Sequence, residues 1–156
     1  MNDRAINTGG WPATSMRTFI NADIYNSLPS ILQSGIIETS VVTGYGYNDN
    51  KTNLTSKDKL YLLSAKEIYS DWSETYDSAI NLTRQLDYYK NATVAGTIDS
   101  VLKRKKGSLT DAPYWTRSIY NSTNFYYLGN SSTDVNNSTD LSYAIFFRLE
   151  GPNESS

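Results

Sequence analysis

Apolar residues in the first quarter of the chain recur at helical spacing. Met16, Phe19 and Ile20 stand at i, i+3 and i+4, which predicts a helix from Thr14 or Ser15 to about Asn21 or beyond with that triplet on one face. Thr14 or Ser15 supplies the N-cap, and Trp11 reads as a packed anchor just upstream. Ile31 and Leu32 form the apolar face of a second helix, with Pro29 in its first turn and Gly35 at its C′ position. Residues 36–43 are rich in β-branched side chains and predict a strand; 44–56 reads as a loop. Residues 58–63 predict a short strand, and Ser64, Ala65, Lys66 and Glu67 the capping box of a brief helix. Residues 98–105 read as a helix or extended turn with Val101 and Leu102 inward.

The C-terminal quarter has a different rhythm. Tyr114, Trp115, Thr116, Arg117 and Ser118 predict one buried strand. Tyr143, Ile145, Phe147 and Leu149 alternate with Ala144, Phe146 and Arg148 and predict another. Between them, 119–141 consists mostly of Asn, Ser, Thr, Tyr and Asp. Tyr offers large, stiff contact area, and Ser, Asn and Gly offer adaptable hydrogen bonds, so this is the composition of a binding surface. It is also the composition of an ordinary exposed loop.

Length and composition narrow the function classes. The 156 residues predict a single domain, 1–156. The chain has no Cys and no His, which removes disulfides, thiol nucleophiles, thiolate metal sites and the usual general base. A formal net charge of -2 gives no electrostatic footprint for nucleic acid. No apolar run approaches the roughly 20 residues of a membrane span, and no signal peptide is read at the start. Thirteen Tyr are an excess that suits a broad, half-wet surface or a β-rich core with hydroxyls at its edge. Asp71, Glu74 and Asp77 could gather around Ca²⁺ or act as acid and base, but without a ligand spacing they read as solvated carboxylates. The run Lys103, Arg104, Lys105, Lys106 is either a solvated face or a contact for an acidic partner, and four charges alone favour the former. Asn-x-Ser/Thr triplets open at Asn53, Asn81, Asn91, Asn121, Asn130 and Asn137 among others. A chain rich in these residues produces them by chance, and at this stage they carry no function.

Three segments, in order, resemble one family. Trp11, Ser15, Arg17, Phe19, Ile20, Asn21, Asp23 and Tyr25 resemble the W…S-x-L-R-x-W-L-N-x-x-F-Y segment of bacterial and phage lectin-like domains. Residues 58–64 resemble their D-K-[IL]-F-L-L-S strand, and 114–118 their W-W-x-R-S strand. The resemblance implies an α+β, C-type lectin-like fold in the variant related to the formylglycine-generating enzyme. Two helices near the N-terminus would pack on a small twisted antiparallel sheet with long loops. The chain departs from the family at its last strand, where G-V-R-P-[AV] is replaced by Ala144, Ile145, Phe146, Phe147, Arg148 and Leu149, and only ten residues precede Trp11. The enzymes of this fold use paired cysteines, which this chain lacks, and the Glu-Pro-Asn and Trp-Asn-Asp motifs of Ca²⁺-dependent lectins are missing.

Residues 115–143 further resemble the variable region of proteins served by diversity-generating retroelements. There, adenine-directed mutagenesis scatters Asn codons into Ser, Asp, Thr, Tyr, Ile and Gly. This resemblance implies that Trp115, Leu128, Val135, Ile145 and Phe147 are a fixed frame. It implies that Tyr120, Asn121, Ser122, Asn124, Tyr126, Asn130, Asn136, Asn137, Ser138, Asp140, Ser142 and Tyr143 contact the ligand. A joint substitution of Tyr126 and Asn137 should then abolish binding and leave the melting temperature nearly unchanged. The expected function is non-catalytic binding of a protein or glycan ligand at a virion or cell surface, without cofactor or metal, nucleic acid or membrane insertion. The alternative is a lectin-like adhesion module of fixed specificity.

Overall fold

The computed structural model describes residues 7–44, 53–69, 85–90, 114–119, 124–128, 142–143 and 148–149. Within them the protein is mixed α and β, with short helices and small, mainly antiparallel sheets.

A 3₁₀ turn, Trp11–Ala13, leads into α1, Ser15–Phe19. Thr14 caps it: its Oγ1 accepts from the Arg17 amide at 3.1 Å and donates to the Trp11 carbonyl at 2.9 Å. The helix then widens into a π-turn, Ile20–Ile24, and finishes as α2, Tyr25–Ser27. The inward stripe runs through Met16, Ile20 and Ile24, while Phe19 is 38% exposed. The triplet expected on one face is thus corrected: one ridge at i, i+4 carries the packing, and the π-turn keeps Ile24 on it. Pro29 is the N-cap of α3, Ser30–Gly35. Gly35 closes α3 within the helix, and the glycines with positive φ among the described residues are Gly9 and Gly10.

The single strand expected over 36–43 is two strands with different partners. β1, Ile36–Ile37, pairs with β7, Arg148–Leu149; β2, Thr39–Thr43, pairs with β3, Leu54–Asp58. β3 therefore begins inside the expected loop and ends where a strand was expected to begin. β3 stops at Asp58, and at Lys59 and Leu60 the backbone groups are taken by a side chain. Asn21 Oδ1 accepts from the amides of Lys59 and Leu60, both at 3.0 Å, and Asn21 Nδ2 donates to the Leu60 carbonyl at 2.8 Å. The capping box forms as expected at the start of α4, Ala65–Ile68, with Ser64 and Glu67 bonding reciprocally. A short α5, Asp87–Lys90, follows; residues 98–105 lie outside the described residues.

β4, Tyr114–Ile119, pairs antiparallel with β5, Phe125–Leu128, and parallel with β6, Ser142–Tyr143. β5 corrects the expectation of an uninterrupted polar loop. Phe125, Tyr126 and Tyr127 are β-formers and all three are buried. Leu149, expected inward, is 54% exposed on β7. The core joins Trp11 and Ile20 to Leu60, Leu62 and Ile68 and to Trp115 and Ile119. Burying such side chains contributes about 1.5–3 kcal/mol each, as an upper estimate.

Candidate functional site

Two polar clusters tie distant segments together. The first centres on Asp58, which is 1% exposed. Its Oδ1 accepts from Arg17 Nε at 2.6 Å, and its Oδ2 accepts from Trp11 Nε1 at 2.9 Å and Ser56 Oγ at 2.6 Å. A carboxylate with three donors is stable in a buried position because its charge is both paired and hydrogen-bonded. Arg17 also donates through Nη2 to the Lys57 carbonyl at 3.3 Å. The helix of the first segment and the strand of the second are thereby fixed to each other.

The second centres on Arg117 of β4, whose side chain is 3% exposed. Its Nη1 donates to Glu67 Oε2 and to the Leu62 carbonyl, both at 2.6 Å, and its Nε to the Val42 carbonyl at 3.3 Å. Its backbone joins in: the Arg117 amide donates to the Leu63 carbonyl at 2.9 Å, and its carbonyl accepts from Thr43 Oγ1 at 3.2 Å. Glu67 Oε2 accepts at the same time from the Ser64 amide at 2.7 Å, so the capping carboxylate also neutralises Arg117. Next to it, Ser118 Oγ accepts from the Ala65 amide at 2.9 Å. The guanidinium carbon lies 5.8 Å from the centre of the Tyr61 ring.

In the C-terminal sheet, the register places Leu128 of β5 and Ser142 of β6 on opposite sides of Tyr114. The described end of β5 and the start of β6 therefore stand at one level, on either side of one strand. Trp115 holds that end of the sheet. It is 6% exposed and meets Tyr127 edge-on, with ring centroids 5.8 Å apart and planes at 69°. Thr116 Oγ1 donates to the Tyr126 carbonyl at 2.7 Å and fixes β5 against β4. Asn7, fully buried, donates through Nδ2 to the Asn124 carbonyl at 3.0 Å and ties the first described residue to the start of β5.

The expected contact residues divide on this geometry. Tyr126 is 5% exposed and belongs to the core, so it leaves the contact set. Asn124 is half-buried at the start of β5. Ser142 and Tyr143 form β6. Tyr120, Asn121, Ser122, Asn130, Asn136, Asn137, Ser138 and Asp140 lie outside the described residues, as do Val135, Ile145 and Phe147 of the expected frame and the carboxylates Asp71, Glu74 and Asp77. Among the described residues no group of three or more His, Cys, Asp or Glu could hold a metal ion, and no helix is long and apolar enough to cross a membrane. Asp58 and Arg117, which carry the polar clusters, were legible only as members of the motif segments, and Glu67 only as a capping-box residue. Their roles as hubs needed the tertiary contacts.

The Domain of unknown function DUF6273 matches residues 1–145, and the chain belongs to that family. No curated protein and no solved structure matches it.

Proposed function

We propose that this DUF6273 domain is a non-catalytic binding protein in which a fixed C-type lectin-like frame carries a changeable face. The frame corresponds to the variant related to the formylglycine-generating enzyme. The face is the region 115–143, diversified by a retroelement, and its ligand is a protein or glycan on a cell or virion surface. One observation carries this proposal. The segments resembling the lectin-like motifs are the ones that the Asp58 and Arg117 clusters join. Side chains committed to such clusters hold the backbone whatever stands at the surface, which is the property a diversified binding face requires.

The sheet register supports it further. A polar stretch whose two ends are held beside Tyr114 changes its side chains without moving its anchors. Affinity then comes from Tyr area and Asn/Ser hydrogen bonds offered on a preorganised backbone. With Tyr126 withdrawn, the contact set is Tyr120, Asn121, Ser122, Asn124, Asn130, Asn136, Asn137, Ser138, Asp140, Ser142 and Tyr143.

Sequencing the DNA around the natural gene tests the proposal. The expected result is a near-copy of the 115–148 coding stretch that differs almost only at adenines, beside a reverse transcriptase gene. A complete locus without that copy discards diversification and leaves an adhesion module of fixed specificity.

A further inference from the structure

The Asn-x-Ser/Thr triplets, first read as chance products of the composition, are more numerous than composition provides. The chain has 15 Asn and 36 Ser or Thr in 156 residues, so random order gives about three or four triplets. There are nine, none with Pro at the middle position, and five of them (at Asn50, Asn53, Asn81, Asn91 and Asn153) lie outside the polar stretch 119–141. Clustering of Asn with Ser and Thr in one region therefore does not account for the excess. Among the described residues, Asn7, Asn21, Asn26 and Asn124 open no such triplet, and Asn53 does. The side chains of Asn7 and Asn21 are spent on backbone groups inside the frame.

Asn53, Leu54 and Thr55 stand at the start of β3. Burial alternates along this strand: Ser56 and Asp58 are buried, whereas Thr55 and Lys57 are exposed. Thr55 thus points away from the core, and Asn53, two residues earlier and half-buried, precedes it on the outward side of the alternation. We propose that Asn53 is an N-glycosylation site of this protein, its amide carrying an oligosaccharide on the outer side of the β2–β3 hairpin. The donor is an oligosaccharide linked to a polyprenyl phosphate or pyrophosphate. Asn53 Nδ2 forms a bond to the anomeric carbon of the first sugar, and the bond from that carbon to the lipid phosphate breaks. The lipid phosphate leaves and the amide gives up one proton. The Thr55 hydroxyl is the element a transferase reads. The inference is independent of the ligand and of any diversification, since Asn53 lies outside 115–143.

Protein recovered from its natural host decides the matter by mass spectrometry of the tryptic peptide 52–57. The expected result is a glycan mass on Asn53, lost in Asn53→Gln and in Thr55→Ala and kept in Thr55→Ser. Thr55 is exposed, so both of its variants should fold, which a melting curve verifies. An unmodified peptide as the sole form in the natural host overturns the proposal, and so does a glycan mass that persists in Thr55→Ala.

Discussion

Arg117 and Glu67 meet at 2.6 Å, Nη1 to Oε2, with side-chain exposures of 3% and 14%. The pair joins the central strand of the C-terminal sheet to the first turn of α4, and Arg117 adds bonds to the carbonyls of Leu62 and Val42. Removing one member of a buried pair leaves the other charged and unpaired, at a cost of about 3–5 kcal/mol. Arg117→Met should therefore lower the urea midpoint sharply. Glu67→Gln should cost less, about 1–3 kcal/mol, because the amide oxygen can still accept from the Ser64 amide or from Arg117. Equal losses in the two variants would contradict the role given to Arg117 as the hub.

Asp58 and Trp11 provide a second test. Trp11→Phe removes the Nε1 donor but keeps an aromatic ring, whereas Asp58→Ala strands Trp11 Nε1 and loosens Arg17. The expected cost of Asp58→Ala is about 3 kcal/mol or more. A double-mutant cycle between the two positions should give a coupling of about 1 kcal/mol or more. Additive losses would mean that the indole contributes by packing alone.

Gly10 has a conformational role. Its φ is 56°, and a Cβ placed there would lie 2.1 Å from the Gly44 carbonyl oxygen. Gly10→Ala should cost at least about 2 kcal/mol, since neither backbone can yield without losing the turn before Trp11. A melting temperature within a degree of the parent protein would show that this approach is not tight.

Tyr126 and Asn137 now separate, although sequence reading places both on the binding face. Tyr126 is buried in β5, so Tyr126→Ala should cost about 3–5 kcal/mol, as truncation of a large core aromatic does. Asn137→Ala should leave the melting temperature unchanged and weaken ligand binding. Comparable thermal losses in the two variants would remove Asn137 from the contact set.

What the sequence revealed follows from how local each signal is. The Thr14 cap, the Ser64–Glu67 capping box and β4 depend on neighbours within a few residues, and they stand where the residue pattern puts them. The strand expected over 58–63 is interrupted after Asp58, where the Asn21 side chain takes the amides of Lys59 and Leu60 and Arg117 the carbonyls of Leu62 and Leu63, partners from far along the chain. β5 was hidden because Phe125, Tyr126 and Tyr127 sit among Asn, Ser and Thr, where aromatic residues read equally as contacts or as core. Only the pairing with β4 decides between the two. The break between β1 and β2 was likewise invisible, since β-branched residues favour a strand without naming its partner.

The central claim is a fixed frame beneath a changeable face, and a folding screen of two libraries tests it directly. One library randomises Tyr120, Asn121, Ser122, Asn130, Asn136, Asn137, Ser138 and Asp140. The other randomises Trp11, Arg17, Asn21, Asp58 and Arg117. Displayed clones are scored for protease resistance. The account predicts that most members of the first library resist cleavage like the parent protein and most of the second do not. If the first library is degraded as extensively as the second, the polar residues are structural and the claim fails.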